Sequence, residues 1–286
     1  MVHGFIRTAL FIAAFAMAPA FAESGTQPTL GDVFNQSIGK APPTLDELMI
    51  IPPPDGSTIK PSEENTEIRQ QGLREAALSY GARGGLAARS YEIRKTLLEK
   101  EAYLDRIYDF KRLLITAPSG LMLEPPVISE AQDAMLIESD GQTAAVADMI
   151  YNINVDAKIV AAPRNWRAYL ERDWGDVAPP PSILYPTTKE ETTAWLASLR
   201  KGWDEGIKQA NEVFQADLDR LNADFRGMIR YRMLLAQGVV SAPYTLQTDR
   251  GVTGGGREMR VGDRALQITG PSELQTEAYQ WRPASR

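Results

Sequence analysis

The chain has 286 residues, 43% of them hydrophobic and 24% charged, with a net charge of −6 at neutral pH. That composition suits one large domain or two small ones, and an acidic balance gives little reason for non-specific nucleic-acid binding, which needs clustered Lys and Arg. Cysteine is absent and the one histidine is His3; disulfides, thiolate nucleophiles, His-dependent triads and His- or Cys-ligated zinc are therefore excluded downstream of it.

Arg7 and the amino terminus form a short positive stretch ahead of the apolar run TALFIAAFAM. Pro19 then breaks the helix, and Ala20 and Ala22 are the small residues a signal peptidase inspects. The run from Thr8 to Ala22 is 15 residues, short of the roughly 20 that a membrane-spanning helix needs. Residues 1–22 are thus expected to be an export signal cut after Ala22. Arg7 leaves with it, so the net charge moves from −6 to −7. No later window is apolar enough to cross a bilayer, so the exported chain is expected to be water-soluble.

Residues 23–61 carry APPT, IPPPDG and IKPS. Each proline removes a backbone donor and fixes φ, so this stretch is expected to be an extended arm. Inside it, Thr44 and Glu47 have capping-box spacing ahead of Leu48, Met49, Ile50 and Ile51. A short helix is expected there, docked either on a partner or back on its own domain. From Ser62 to Phe110 the pattern is helical, with Leu97, Tyr103, Leu104, Ile107 and Tyr108 as one buried stripe. Gly81, Gly84 and Gly85 interrupt it, and each costs about 1 kcal/mol relative to Ala. They imply a break or a very close approach of another backbone. A phosphate cradle is disfavoured, because the P-loop spacing and its lysine are missing.

The period then changes. SGLMLEPPVI predicts a short strand stopped by Pro125 and Pro126, and Asp140-Gly141 between apolar runs predicts a hairpin. Met149, Tyr151, Ile153, Val155, Ala157 and Ile159 alternate with polar residues, predicting a strand with one dry face in antiparallel sheet. Pro163 suits a first helical turn, with Trp166, Tyr169 and Leu170 on one face. Glu171 and Asp173 are two apart and point to different sides of such a helix, which makes them a poor catalytic pair. VAPPPSILYP reads as a rigid linker.

Thr187 and Glu190 again have capping-box spacing. After them Leu196, Leu199, Trp203, Ile207, Ala210, Phe214, Leu218, Leu221, Phe225 and Met228 step by three or four. Unbroken to Gln237, this helix would be about 75 Å long, long enough for part of its stripe to face something outside the chain's own core. Gly202 and Gly206 are candidate bends. SAPYTLQTDRGVTGGGREMRVGDRALQITG reads as short strands joined by glycine turns, with Gly254–Gly256 at a flexible tip and Leu266 and Ile268 alternating with polar neighbours. Residues 271–286 read as a flexible tail.

Four blocks, ALSYGARGGLAARSYEIR, APSGLMLEPPVISEA, APRNWRAYLERDWG and SAPYTLQTDRGVTGGGREMRVGDRA, together resemble DotC of type IVB (Dot/Icm-type) secretion systems and its plasmid conjugation counterpart TraI. The resemblance runs from about Leu73 to Gly270. It implies a non-catalytic subunit of an outer-membrane core complex, one that helps a small DotD-like lipoprotein bring a DotH-like protein to that membrane. It also implies a ring of several copies, no cofactor and no metal. The Dot/Icm member carries an acylated cysteine just after its signal; here Glu23 stands in that place.

The expected class is therefore α+β, long amphipathic helices packed against a small antiparallel sheet, with residues 62–270 as the main domain. The expected location is the periplasm, peripheral to the outer membrane, with exposed Trp and Tyr as partner anchors. The competing class is a periplasmic cell-wall hydrolase using paired carboxylates, which need neither His nor Cys; with 37 Asp and Glu in the chain, any chosen pair is more often a solvated face. A solute-binding protein is the third class, and it requires one deep pocket ringed by polar groups.

Overall fold

The computed structural model describes residues 40–52, 66–116, 122–137 and 144–282. The expected export signal with Ala20 and Ala22, most of the expected arm and the Asp140-Gly141 turn lie outside them. Helix α1, Leu45–Leu48, begins where Thr44 and Glu47 bond each other's backbone N–H groups in a capping box. Leu48 is buried among Leu73, Ala77, Trp195 and Leu199, and it fills the space left by Gly84. Of the two placements open in the sequence, α1 takes the one on its own domain.

Helix α2, Thr66–Glu99, runs unbroken through Gly81, Gly84 and Gly85. The chain turns at Lys100 into α3, Glu101–Ile107, and then into a 3₁₀ turn, Phe110–Leu113. That turn divides the expected stripe: Leu97 is buried and Leu104 and Tyr108 pack on the core, whereas Tyr103 and Ile107 end in solvent. A short three-stranded antiparallel sheet is built from β1 (Ile115–Thr116), β2 (Met122–Glu124) and a later strand, Lys158–Val160, with β2 in the middle. Pro125 and Pro126 end β2 as expected. Between β2 and that later strand lies a hairpin of β3 (Val127–Ile137) and β4 (Ala144–Val155). The period-two run does not stay in one sheet. It breaks at Asp156-Ala157, and β5 (Lys158–Val160) joins β2.

The expected helix after Pro163 is a single turn, α4 (Arg167–Leu170), which nevertheless buries Trp166 and Leu170. Glu171 and Asp173 follow it in non-helical chain. Helix α5, Lys189–Ala236, has 48 residues, about 72 Å at 1.5 Å per residue. Its cap is Thr188, one residue later than expected, and Glu191 is the acid that reaches back to Thr187.

Helices α2 and α5 run parallel. Arg69 bonds Glu191 and Arg89 bonds Asn211, the same offset of 122 residues. Parallel neighbours need the chain to return along its first helix before starting the second. The proline-rich run makes that return: Trp174 meets Tyr91 edge-to-face at 5.8 Å, while the carbonyls of Ile183 and Tyr185 accept from Arg69. From Tyr91 back to Arg69 is about 33 Å of helix, and the run from Trp174 to Tyr185, non-helical apart from a 3₁₀ turn at Ser182–Leu184, spans roughly 30 Å. The linker is a strap of matching length.

Neither expected bend exists at Gly202 or Gly206. A Cβ at Gly81, Gly85, Gly202 or Gly206 would lie 2.1 Å from a backbone oxygen of Leu199, Trp203, Leu78 or Ala82 respectively. Two G-x-x-x-G spacings therefore face each other, and each strips side-chain bulk where the other helix's carbonyls pass. Farther along α5 the partner changes: Gly227 admits Val127 and Ile128 of β3, and Arg230 donates to the Ile128 carbonyl at 2.7 Å. The stripe that seemed too long for one core is covered along its length by α2, α4 and β3.

After Val240 the chain forms one long hairpin, β6 (Tyr244–Gly255) and β7 (Glu258–Gly270), in place of several short strands. Gly251 and Gly262, both at positive φ, sit at register shifts within it. Beyond Pro271 the chain folds back: Leu274 bridges Val240, Gln275 donates to the Val239 carbonyl and Arg282 to that of Gln237. The architecture is α+β.

Candidate partner-binding surfaces

Buried charges lock the platform from which the hairpins project. Arg164 forks onto Glu124 of β2, donates to the Tyr169 hydroxyl of α4, and reaches Asp224 of α5 at 3.0 Å. Tyr169 in turn donates to Asp224 at 2.7 Å. Burial opposes the charge on Arg164, but the bonds to Glu124 and Tyr169 outweigh it and hold the guanidinium above its ordinary pKa. Burial, with the bond to Asp224, pushes the Tyr169 phenol up to about 12.

A second knot ties α3 to α4. Asp105 accepts from Arg167 at 2.9 Å and from the Trp166 indole at 2.7 Å, and Arg167 also lies over the Trp166 ring. The Arg167 bond first, and the indole bond after it, hold the Asp105 carboxyl below its ordinary pKa. A carboxylate depressed in the folded state stabilises fully above its unfolded pKa, about 3.9, and loses that contribution as pH falls through the folded value. Acid titration followed by circular dichroism should therefore show Asp105→Asn less stable than wild type at pH 6, with the gap closing below about pH 4.

The two long hairpins leave this platform. The base of β3–β4 is fixed on α5 by buried Ile128 and by the Arg230–Glu130 ion pair at 2.7 Å. Its outer part carries the cross-strand pair Met135 and Val146, 62% and 71% exposed. On β6–β7 the cross-strand pair Val252 and Val261 is 62% and 73% exposed, with Met259 beside it. No other described element packs substantially along β6–β7. Isolated two-stranded ribbons are marginal in water, and this one presents open edges and bare apolar side chains. The alternation Met259-Arg260-Val261 was visible in the sequence; that nothing would cover it was not.

The remaining sequence candidates fall elsewhere. The glycine-rich segment lies against α5, so no phosphate cradle exists there. Asp173 accepts from the Gly175 amide and Glu171 lies near Arg167, 3.8 Å away; the structure does not bring the two acids together as a site. Among the described residues one cleft of about 230 Å³ lies between α2, α5 and Trp174, and another of about 370 Å³ is lined by Arg164, Tyr169, Glu171, Arg172, Asp217 and Arg220. Of the five tryptophans, Trp166 and Trp195 are buried and Trp281 is exposed. Tyr279 and Tyr244 are exposed with it, and so is Tyr103 on α3.

Residues 67–283 match the family model T4SS_TraI, described as type IV secretory system, conjugal DNA-protein transfer. The chain belongs to this family. The match covers about three quarters of the sequence and takes in the folded-back tail as well as both hairpins. A comparison with curated proteins finds no match. Family membership gives the chain a role in a type IV secretory apparatus, a multi-protein complex. Among the described residues no helix is long and apolar enough to cross a membrane.

Proposed function

We propose that this chain is a DotC-like, non-catalytic subunit of the outer-membrane core complex of a type IVB secretion or conjugation system. In this reading it sits in the periplasm, peripheral to the outer membrane, and with a DotD-like lipoprotein helps place a DotH-like protein there. The observation that carries the reading is a rigid platform of long helices projecting two ribbons whose apolar side chains its own core leaves bare. Such surfaces serve contacts with other chains. No cysteine is available for acylation, so attachment falls to protein contacts with lipidated neighbours, whose combined avidity replaces an acyl chain.

Affinity purification of the full chain from detergent-solubilised envelope tests this. DotD-like and DotH-like proteins are expected to co-purify, and Tyr279→Ala, at the most exposed of the open aromatics, should lower their yield several-fold while leaving the melting temperature unchanged. A chain that purifies without either partner overturns the reading. Cells lacking the neighbouring lipoproteins should release the chain from the outer-membrane fraction. Zymography on purified murein should show no cleared band.

A further inference from the structure

Gly81, Gly85, Gly202 and Gly206 make room for the backbone of a facing helix, but Gly84 does not. A Cβ at Gly84 would collide with Leu48 Cδ1 and lie 3.0 Å from the Trp203 ring. Its missing side chain is a hole that takes one leucine. Leu48 is 2% exposed and is the one buried residue of α1. Leu45, Met49 and Ile51 pack around it only partly buried, and Ile50 is exposed.

Side chains alone hold α1 in this groove. The backbone hydrogen bonds of Leu48, Met49 and Ile50 stay within the turn. Asp46 forms no ion pair among the described residues, and the Glu47 carboxylate is taken up by the Thr44 amide. The polar link to the body runs from Arg200 to the Met49 sulfur at 3.9 Å, and a thioether is a weak acceptor. By contrast, Arg167, Asp105 and Trp166 knot α3 to α4 with charged hydrogen bonds. The site is also incompletely satisfied. Trp195 is fully buried in the same cluster, and its indole N–H has no acceptor among the described residues. A buried donor left without a partner carries a desolvation cost.

We propose that α1 is an exchangeable plug, and that the Gly84 groove is a receptor for a helical turn of the same kind carried by another protein of the apparatus. The fit defines that turn: a Ser or Thr cap, an acid three residues on, a leucine directly after the acid, and an acceptor for the Trp195 indole. A helix laid in a groove by a buried apolar anchor is a recurring mode of recognition. The capping box preforms the turn, so less order has to be imposed on binding. Displacing α1 breaks side-chain contacts that the incoming leucine remakes. The inference rests on the structural-subunit reading, which supplies the partner, and it names a surface on the helical platform instead of the hairpins.

The probe is the synthetic peptide of residues 41–52, APPTLDELMIIP, labelled at its amino terminus and titrated with purified full chain by fluorescence anisotropy. Wild type is expected to bind it. Leu48→Asp drives the chain's own α1 from the hole and should bind at least about tenfold more tightly, because no competitor remains. Adding Gly84→Val to Leu48→Asp fills the hole and should weaken binding at least about tenfold. A peptide carrying Leu48→Asp should not bind. Circular dichroism checks the helix content of each chain; should Leu48→Asp lose helix, the milder Leu48→Ala carries the comparison. In the purification from envelope, excess unlabelled peptide should elute a co-purifying protein that carries the Ser/Thr-x-x-Asp/Glu-Leu pattern.

A wild type that does not bind the peptide overturns the proposal, since α1 is then a fixed part of the core. Equal affinity of wild type and the vacated chain overturns it, as does binding that Gly84→Val leaves intact, because the peptide then sits elsewhere. Elution of no such protein by the peptide overturns the partner assignment. So does exchange of α1 between copies, seen in sedimentation as a wild-type dimer that Leu48→Asp abolishes. The titrations use the purified chain alone, so their failure leaves the co-purification result standing; a chain that purifies without partners overturns the reading beneath.

Discussion

Gly202→Ala is expected to lower the melting temperature by about 6–12 °C, and Gly81→Ala, Gly85→Ala and Gly206→Ala by similar amounts. At each of the four positions the new methyl carbon would lie 2.1 Å from a backbone carbonyl oxygen of the facing helix. A carbonyl inside a helix cannot swing away as a side-chain end can, so the two helices must separate or slide. Overpacking costs about 1–3 kcal/mol and sometimes more, and a 2.1 Å approach to a fixed backbone oxygen stands at the top of that range. Alanine's better helix propensity returns about 1 kcal/mol, and weak Cα–H···O contacts between the helices are lost as well. A net loss of about 3 kcal/mol corresponds to the stated shift for a domain of this size. The control is Gly72, also on α2, where a Cβ meets nothing nearer than the Leu184 side chain at 3.9 Å. Gly72→Ala should hold or raise the melting temperature. Thermal unfolding followed at 222 nm separates the two cases, and a Gly202→Ala variant as stable as wild type would refute the close packing of α2 on α5.

Arg164→Met should be the other severe substitution, costing about 3–5 kcal/mol, because it leaves a charge buried without its partner. Glu124 is buried on β2 and its carboxylate is met by both faces of the Arg164 fork. Asp224 loses an ion pair and Tyr169 a donor in the same change. The double variant Arg164→Met with Glu124→Met should recover more than half of the loss, since replacing both charges by apolar groups removes the orphan carboxylate. Arg164→Lys should rescue poorly, because a single ammonium cannot make the fork and also reach Asp224. Denaturant midpoints of wild type, Arg164→Met, Glu124→Met and the double variant test the coupling; purely additive single and double effects would show that the network does not act as a unit.

Much of the fold was legible because its signals are local. The capping box at Thr44 and Glu47 needs four residues of sequence, and the long stripe on α5 repeats so regularly that helix was its one reading. The stop at Pro125 and Pro126, the β3–β4 hairpin and the α+β class were readable for the same reason. The misplaced details were those in which local spacing has two solutions. Thr187 and Thr188 both stand three residues before a glutamate, and the latter is the cap because Glu191 also bonds Arg69 of the neighbouring helix. The alternation from Met149 to Ile159 reads as one strand, yet β2 draws the last residues into another sheet.

By itself the sequence determined what chemistry is missing: without cysteine, and with His3 as its lone imidazole, the remaining chain has carboxylates, amides, hydroxyls and cations to work with. It also determined the element types, since the periods of helix and strand are written residue by residue. The tertiary structure alone decided what the glycines are for. A glycine pattern is silent on whether the backbone bends or is approached, and that depends on a helix 122 positions away arriving parallel to the first. It decided, too, that the α5 stripe would be covered and the outer hairpins left bare. Burial belongs to pairs of surfaces brought together by long-range packing, and no stretch of sequence carries both members of such a pair.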